Sequence, residues 1–224
     1  NLTACEHLQE IYADGTSLAQ IVLPSGGGLR VVEYSRFNQY LSLSNYPLLT
    51  DDGIGIDLCK TVISDFFIVD CALVRPMKIL VDIMNAQMEQ GDNHALKRIR
   101  AVGFEESYNN SFILDKLVDL TNGTYSGLSS EGLSGEDELP VLDGTLNINA
   151  SVYGDTVEAL RAMFTRLTLN INGEFYVRFA DDIVTMLCAE NWGDGIGTSK
   201  RQMGNITELG IIFAGTGIKS FKEL

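Results

Sequence analysis

The chain has 224 residues, 45% of them apolar and 21% charged, a globular composition long enough to bury a core and not that of a disordered segment. Its 30 acidic and 16 basic residues leave a net charge of −14, so no basic stripe exists to neutralise phosphates; nucleic acid is excluded as a partner and an anionic membrane surface is disfavoured. No stretch approaches the roughly 18 apolar residues of a membrane span, which excludes membrane insertion; the longest apolar runs are broken by Asp65, Asp70 and Arg75. Solubility of an exposed or secreted surface accounts for the charge, and the functional alternative is an acidic groove for cations or basic partners.

Residues Leu8 to Leu43 read as closely spaced short strands separated by turns. The apolar pairs Ile11/Ala13, Ile21/Leu23, Val32/Tyr34 and Leu41/Leu43 recur so that alternate pairs lie about 20 residues apart, the spacing of a coil with a strand on each of two faces. Pro24-Ser25-Gly26-Gly27-Gly28 is a turn cluster between two of them. Ile56/Leu58 and Phe66/Ile68 continue the series. At Pro76 the period changes: Met77, Leu80, Val81, Met84 and Met88 share one face of a predicted helix over Pro76–Met88. A strand over Leu96–Phe104 and a second helix over Ile113–Leu120 follow, the latter ended by Asn122-Gly123.

Residues Gly123 to Pro140, dominated by Gly, Ser, Glu and Asp, read as an exposed loop and subdomain boundary. Beyond it the patterns predict a strand at Gly144–Asn149, a helix at Asp155–Phe164 with Leu160, Met163 and Phe164 inward, and a strand at Leu167–Asn172. Asp155 is the N-cap or first-turn acid of that helix. The dipeptide Asn172-Gly173 is the strongest hairpin signal in the chain and leads into a strand at Glu174–Phe179. A helix at Asp181–Glu190, capped by Asp181 or Asp182, a Gly-rich segment at Gly193–Gly197 and a final coil from Ile206 to Leu224 complete the reading. The chain opens at Asn1 without Met or a signal-peptide pattern and stops in mid-pattern at Phe221–Leu224, as an excised piece of a repeat array would.

One signature recurs across these elements: apolar-x-x-apolar-x-apolar-x-x-(Cys, Asn or small). It is clean at Ile63, Phe66, Ile68, Cys71 and at Phe164, Leu167, Leu169, Asn172, and looser at Leu8, Ile11, Ala13, Thr16 and at Leu96, Ile99, Ala101, Phe104. This is the consensus of a leucine-rich-repeat coil. The expected fold is therefore α/β: a leucine-rich-repeat solenoid of short strands with a few packed helices and a small inserted αβ subdomain. The expected division is a solenoid over 1–104, a helix and exposed linker over 105–143, and an αβ subdomain leading into a further repeat coil over 144–224.

The run Leu8-Gln-Glu-Ile-Tyr-Ala-Asp-Gly-Thr-Ser-Leu-Ala-Gln-Ile-Val-Leu-Pro-Ser-Gly-Gly resembles the leucine-rich-repeat region of tail-associated proteins of gut bacteriophages and prophages. Phe175-Tyr-Val-Arg-Phe-Ala-Asp, followed by Gly210-Ile-Ile-Phe-Ala-Gly-Thr-Gly-Ile-Lys-Ser-Phe-Lys-Glu-Leu224, looks like the lead-in to BspA-type repeats of Bacteroides-group surface and phage proteins. The resemblance implies a virion component of tail-fibre or baseplate type, or a bacterial cell-surface adhesin, located on a virion or outside the cell. Its implied partners are other copies or other proteins of a larger particle, and a bacterial surface polysaccharide or protein. It carries over no catalytic residue. It also implies a calcium loop of Asp-x-Asp-x-Asp-Gly type after the Phe-Ala-Asp helix. Here that segment reads Glu190-Asn-Trp-Gly-Asp-Gly-Ile-Gly-Thr-Ser-Lys-Arg201, with Trp192 and Arg201 where oxygen ligands belong, so a metal-free turn is expected.

Catalytic chemistry is sparse. His7 and His94 lie in no nucleophile motif, so alanine at either should leave function unchanged. Gly193–Lys200 lacks the Gly-Lys-Ser/Thr order of a phosphate loop. The acid pairs Asp51/Asp52, Glu105/Glu106 and Asp181/Asp182 read as solvated turns or caps, because sequence neighbours do not face each other across a cleft as a polysaccharide depolymerase requires. Cys5, Cys59, Cys71 and Cys188 form no CxxC pair and read as free, buried thiols, Cys71 capping a turn inside the core. The sequons at Asn1, Asn109, Asn122, Asn149 and Asn205 are what chance supplies in an Asn-rich chain. The expectation is a non-enzymatic binding or structural module without cofactor or metal. Its candidate ligand contacts are the aromatics Tyr34, Tyr40, Tyr46, Tyr153 and Trp192, since such rings stack on sugars and tolerate exposure.

Overall fold

The structure, a computed structural model, describes the chain apart from residues 57–61, 92–95, 122–139, 165, 178, 180, 195 and 222–224, and gives no side-chain account of 120, 121, 162 and 163. The element order is β1 (Glu10–Tyr12), β2 (Val31–Glu33), β3 (Tyr40–Ser44), a 3-10 turn at Asp51–Gly53, β4 (Ile54–Gly55), β5 (Asp65–Val69), α1 (Pro76–Glu89), β6 (Arg98–Tyr108), α2 (Phe112–Thr121), β7 (Val141–Ile148), α3 (Gly154–Met163), β8 (Thr168–Ile171), β9 (Glu174–Val177), α4 (Asp182–Trp192), β10 (Thr198–Ser199) and α5 (Lys200–Gly204). Strands β1, β2 and β4 form a three-stranded parallel sheet. The remaining strands form a seven-stranded mixed sheet of order β10-β9-β8-β7-β6-β5-β3.

These two sheets correct the expected leucine-rich-repeat solenoid. A solenoid returns every coil's strand to one parallel ladder at a nearly constant spacing. Here Tyr40 pairs with Asp65 and Asp65 with Arg98, partners 25 and then 33 residues apart. The chain then reverses, β8 to β9 and β9 to β10 being antiparallel. The reversal lies at Asn172 and Gly173, whose φ angles of 52° and 87° are the two left-handed residues that a tight hairpin needs. The expected final coil is also absent: residues 206–221 form turns and irregular backbone.

By contact the chain divides into two compact units, one of Asn1–Glu106 with Asp119–Gly144 and the other of Ser107–Val118 with Thr145–Leu224. In the first, the recurrent apolar signature marks strand residues that point inward. Leu41, Phe66 and Ile99 form one in-register row and Leu43, Ile68 and Ala101 the next, and all six are buried. Each such large side chain contributes about 1.5–3 kcal/mol by leaving water. Of the early apolar pairs, Ile11 and Val32 become paired neighbours in the small sheet, whereas Ile21/Leu23 forms no strand.

Asn45, Asp70 and Asn172 each follow a strand directly, and each takes a left-handed φ of 51–59°, a conformation that Asn and Asp tolerate best among non-glycine residues. In β6 the burial alternation slips at Gly103: Ile99 and Ala101 are buried before it, Phe104 and Glu106 after it. Gly103 has φ 74°, and a Cβ there would overlap the Asp70 carboxylate, so only glycine permits the slip. The slip turns Glu106 inward, where its carboxylate accepts from the Met77 N–H at 2.7 Å. Pro76 opens α1, whose own N-cap residue Arg75 makes no side-chain cap. A buried strand carboxylate thus supplies the anion that the helix N-terminus favours.

In the second unit Val157, Leu160 and Phe164 of the α3 region are buried, as are Leu146, Ile148, Leu169 and Ile171 of the strands. Asp155 stands in the first turn of α3 and Asp181 is the N-cap of α4, accepting from the Ile183 N–H at 3.0 Å. Phe179, Val184 and Cys188 form a small core against which Trp192, Met203, Phe213 and Ile218 pack partly buried.

Candidate functional site

The five aromatic candidates are not gathered into one site. Tyr34 and Tyr46 are core residues, 2% and 1% exposed. The Tyr46 hydroxyl donates to the Pro24 carbonyl, and burial pushes its pKa up to about 12; burial raises Tyr34 further. Tyr153 is 84% exposed at the N-cap position of α3. Trp192 ends α4 and meets Phe213 edge-on, ring centroids 6.4 Å apart, as part of a core rather than a surface. Tyr40 alone lies on a half-exposed strand face.

That face is the most regular surface of the first unit. Opposite the buried rows, strands β3, β5 and β6 carry Tyr40–Asp65–Arg98, Ser42–Phe67–Arg100 and Ser44–Val69–Val102, three in-register rows in which Asp65 alone is buried. Neighbouring side chains in such rows are about 4.8 Å apart, the spacing between strands. The Arg98 guanidinium is ion-paired with Asp65 and lies 5.2 Å from the centre of the half-buried Phe67 ring. The face therefore combines two partly accessible rings with a guanidinium fixed by the buried Asp65 carboxylate and with serine hydroxyls. Phe67 escaped the sequence reading because Phe66, its neighbour, carried the apolar signature. Strand alternation puts the two phenylalanines on opposite faces.

One acid of each sequence pair serves a structural purpose. Asp51 pairs with Arg75, accepting from its backbone N–H at 2.8 Å and its side chain at 2.6 Å. Glu106 caps α1 from a strand, not from a turn, and Asp181 caps α4. Asp181 also accepts from the Lys219 N–H at 2.7 Å, and these backbone donors, Lys219 first, hold its carboxyl below the usual value. His7 is exposed in a turn, while His94, Cys59 and the loop over 123–139 lie outside the described residues. Cys71 and Cys188 are free and buried, with burial raising both thiols, that of Cys188 to about 11; Cys5 is free but exposed, which corrects its placement in the core.

The second unit holds two cavities that share Arg161. The larger, about 580 Å³, runs between α3 and α4, with Asp155 and Glu158 on one side, Asp182 and Glu190 on the other, and Met186 and Ile196 supplying apolar lining. The smaller, about 210 Å³, is lined by Arg161, Arg166, Lys200, Thr168, Phe175 and Tyr176, among others. Arg161 is 8% exposed, donates to the Val177 carbonyl at 3.3 Å and sits 5.4 Å from the Tyr176 ring centre. Tyr176 donates to Asp194 at 2.9 Å; burial, with that carboxylate, pushes its pKa up to about 12. Neither cavity was legible in the sequence, since each is made by residues from separate elements. Among the described residues no group of three or more His, Cys, Asp or Glu is placed to hold a metal ion. Nor, among the described residues, is any helix long and apolar enough to cross a membrane.

Comparison with family models, curated proteins and solved structures returns no match to this chain.

Proposed function

We propose that this protein is a non-enzymatic recognition module that binds saccharides of a bacterial surface, as part of a virion or of a cell-surface protein. The observation that supports it is the outward face of β3, β5 and β6, where Tyr40 and Phe67 lie beside the Asp65–Arg98 pair. Aromatic faces stack on the C–H side of sugar rings, while the Arg98 guanidinium, fixed by the buried Asp65 carboxylate, donates to hydroxyls in a defined orientation. Asp65 is committed to Arg98 and so suits binding better than proton transfer. The virion or surface setting is supported by the resemblance of Leu8–Gly27 and of the Phe175 and Gly210 segments to phage tail and surface proteins.

A polysaccharide depolymerase is the second reading, favoured by the carboxylates that α3 and α4 present on opposite sides of the larger cavity. One experiment separates the two: purified chain is mixed with isolated surface polysaccharides of gut bacteria, and both binding and polymer length are followed. Saturable binding at constant polymer length is expected. Phe67→Leu, which keeps an apolar side chain but removes the ring, should weaken binding at least tenfold with the melting temperature nearly unchanged. Shortened polymer that Glu158→Gln or Glu190→Gln abolishes would instead establish the depolymerase.

A further inference from the structure

The smaller cavity of the second unit has a charge opposite to that of the chain. The protein carries 30 acidic and 16 basic residues, yet Arg161, Arg166 and Lys200 line this cavity and, among the described residues, no carboxylate does. Arg161 is more than nine-tenths buried, and its guanidinium is oriented by the Val177 carbonyl and the Tyr176 ring. A guanidinium held in this way has lost little freedom still to lose, so an anion meeting it avoids part of the ordering cost. Lys200 adds a second cation 5.6 Å from the centre of the Phe175 ring, which is 39% exposed. The volume of about 210 Å³ is several times what one small inorganic anion needs, and Phe175 and Leu167 give part of its wall an apolar character. The chemistry is that of a ring-bearing anion: a negative group for the cations, a flat body for the aromatic wall.

We propose that this cavity is a binding site for an anionic sugar residue, one carrying a carboxylate or a phosphate. The negative group meets Arg161, Arg166 and Lys200, and the ring rests against Phe175. The site lies in the second unit and does not depend on the strand-face reading, so the two stand or fall separately. The larger cavity across Arg161, with its four carboxylates, repels the same ligand and restricts it to the one side.

The test is binding of the full chain to D-glucuronate, glucose 6-phosphate, glucose and inorganic phosphate, each alone, by calorimetry and amide chemical-shift mapping. Saturable binding of glucuronate or glucose 6-phosphate is expected, with shifts at Phe175, Tyr176 and Lys200. The stronger of the two tells which anion the site was shaped for. Glucose should bind at least tenfold more weakly than the better of them. Lys200→Glu and Phe175→Leu, both at exposed positions, should each weaken binding at least tenfold in a chain with an unchanged melting temperature, while Phe67→Leu should not affect it. Three results would each overturn the proposal: no saturable binding of either anionic sugar, glucose binding as tightly as they do, or inorganic phosphate binding as tightly as both.

Discussion

In the first unit, Asn1–Glu106 with Asp119–Gly144, parallel strands stack apolar side chains in register on the inward face and carry mixed polar, aromatic and aliphatic rows on the other. The second, Ser107–Val118 with Thr145–Leu224, combines helices α3, α4 and α5 and most of α2 with a hairpin and an irregular tail, and both cavities described above lie within it. The contrast follows from geometry. In-register parallel strands leave little space between adjacent side chains and so make a continuous surface. Helices packed beside a hairpin meet only along stripes and leave gaps between them. The first unit therefore offers a face, the second offers holes.

The largest expected effect breaks each unit at its strand core. Ile68→Asp and Leu169→Asp each place a charge where the native side chain is 1% exposed, at a cost of about 4 kcal/mol or more. Chemical denaturation with probes in both units should show a large loss for each; a change below about 1 kcal/mol at either position would contradict the buried rows.

Next in size, Gly103→Val strains the left-handed backbone at φ 74° and forces the Asp70 side chain aside. It should cost about 2 kcal/mol, read as a lower denaturation midpoint, whereas Gly210→Val, at φ 59° but with open space around it, should lose only the strain part.

The units also differ in their response to pH. Burial raises Tyr34 and Tyr46 in the first unit above the ordinary value of 10.0. Their contribution to stability is full below that ordinary value, and it is lost as pH rises from there through the raised values, because the unfolded chain ionises first. Absorbance at 295 nm should show these two tyrosines ionising only together with unfolding. In the second unit Asp181, depressed by the Lys219 and helix N–H groups, works in the acid direction. Its contribution is full above the ordinary value of 3.8 and is lost as pH falls through its lower folded value. The Lys219 amide should shift in that acid window, and Asp181→Ala should remove the shift. This is the smallest effect, since the group is solvent-accessible.

The lessons of the sequence differ by element. The helix over Pro76–Met88 and the Asn172-Gly173 hairpin were legible because 3.6-residue periodicity and a left-handed dipeptide are local signals, and α1 and the β8–β9 turn appear where those signals put them. The signature through Ile63, Phe66, Ile68 and Cys71 was equally correct about which side chains are buried. It misled about what joins them: a repeat consensus describes one strand and one turn, and the partner of that strand is chosen by residues far away. Glu106 was read as half of a solvated acid pair, yet the slip at Gly103 turns it inward onto α1.

By itself, then, the amino-acid sequence determined the acidic charge, most of the helices and strands, the cap of α4 to within Asp181 or Asp182, and the buried side of β5 and β8, because each depends on neighbours within a few residues. Tertiary structure alone decided that the strands divide between two sheets, that Phe67 and Arg98 meet on one face, and that Arg161, Arg166 and Lys200 line one cavity. Those placements join residues up to several dozen positions apart. They are set by which surfaces can be buried together, a property that no local pattern contains.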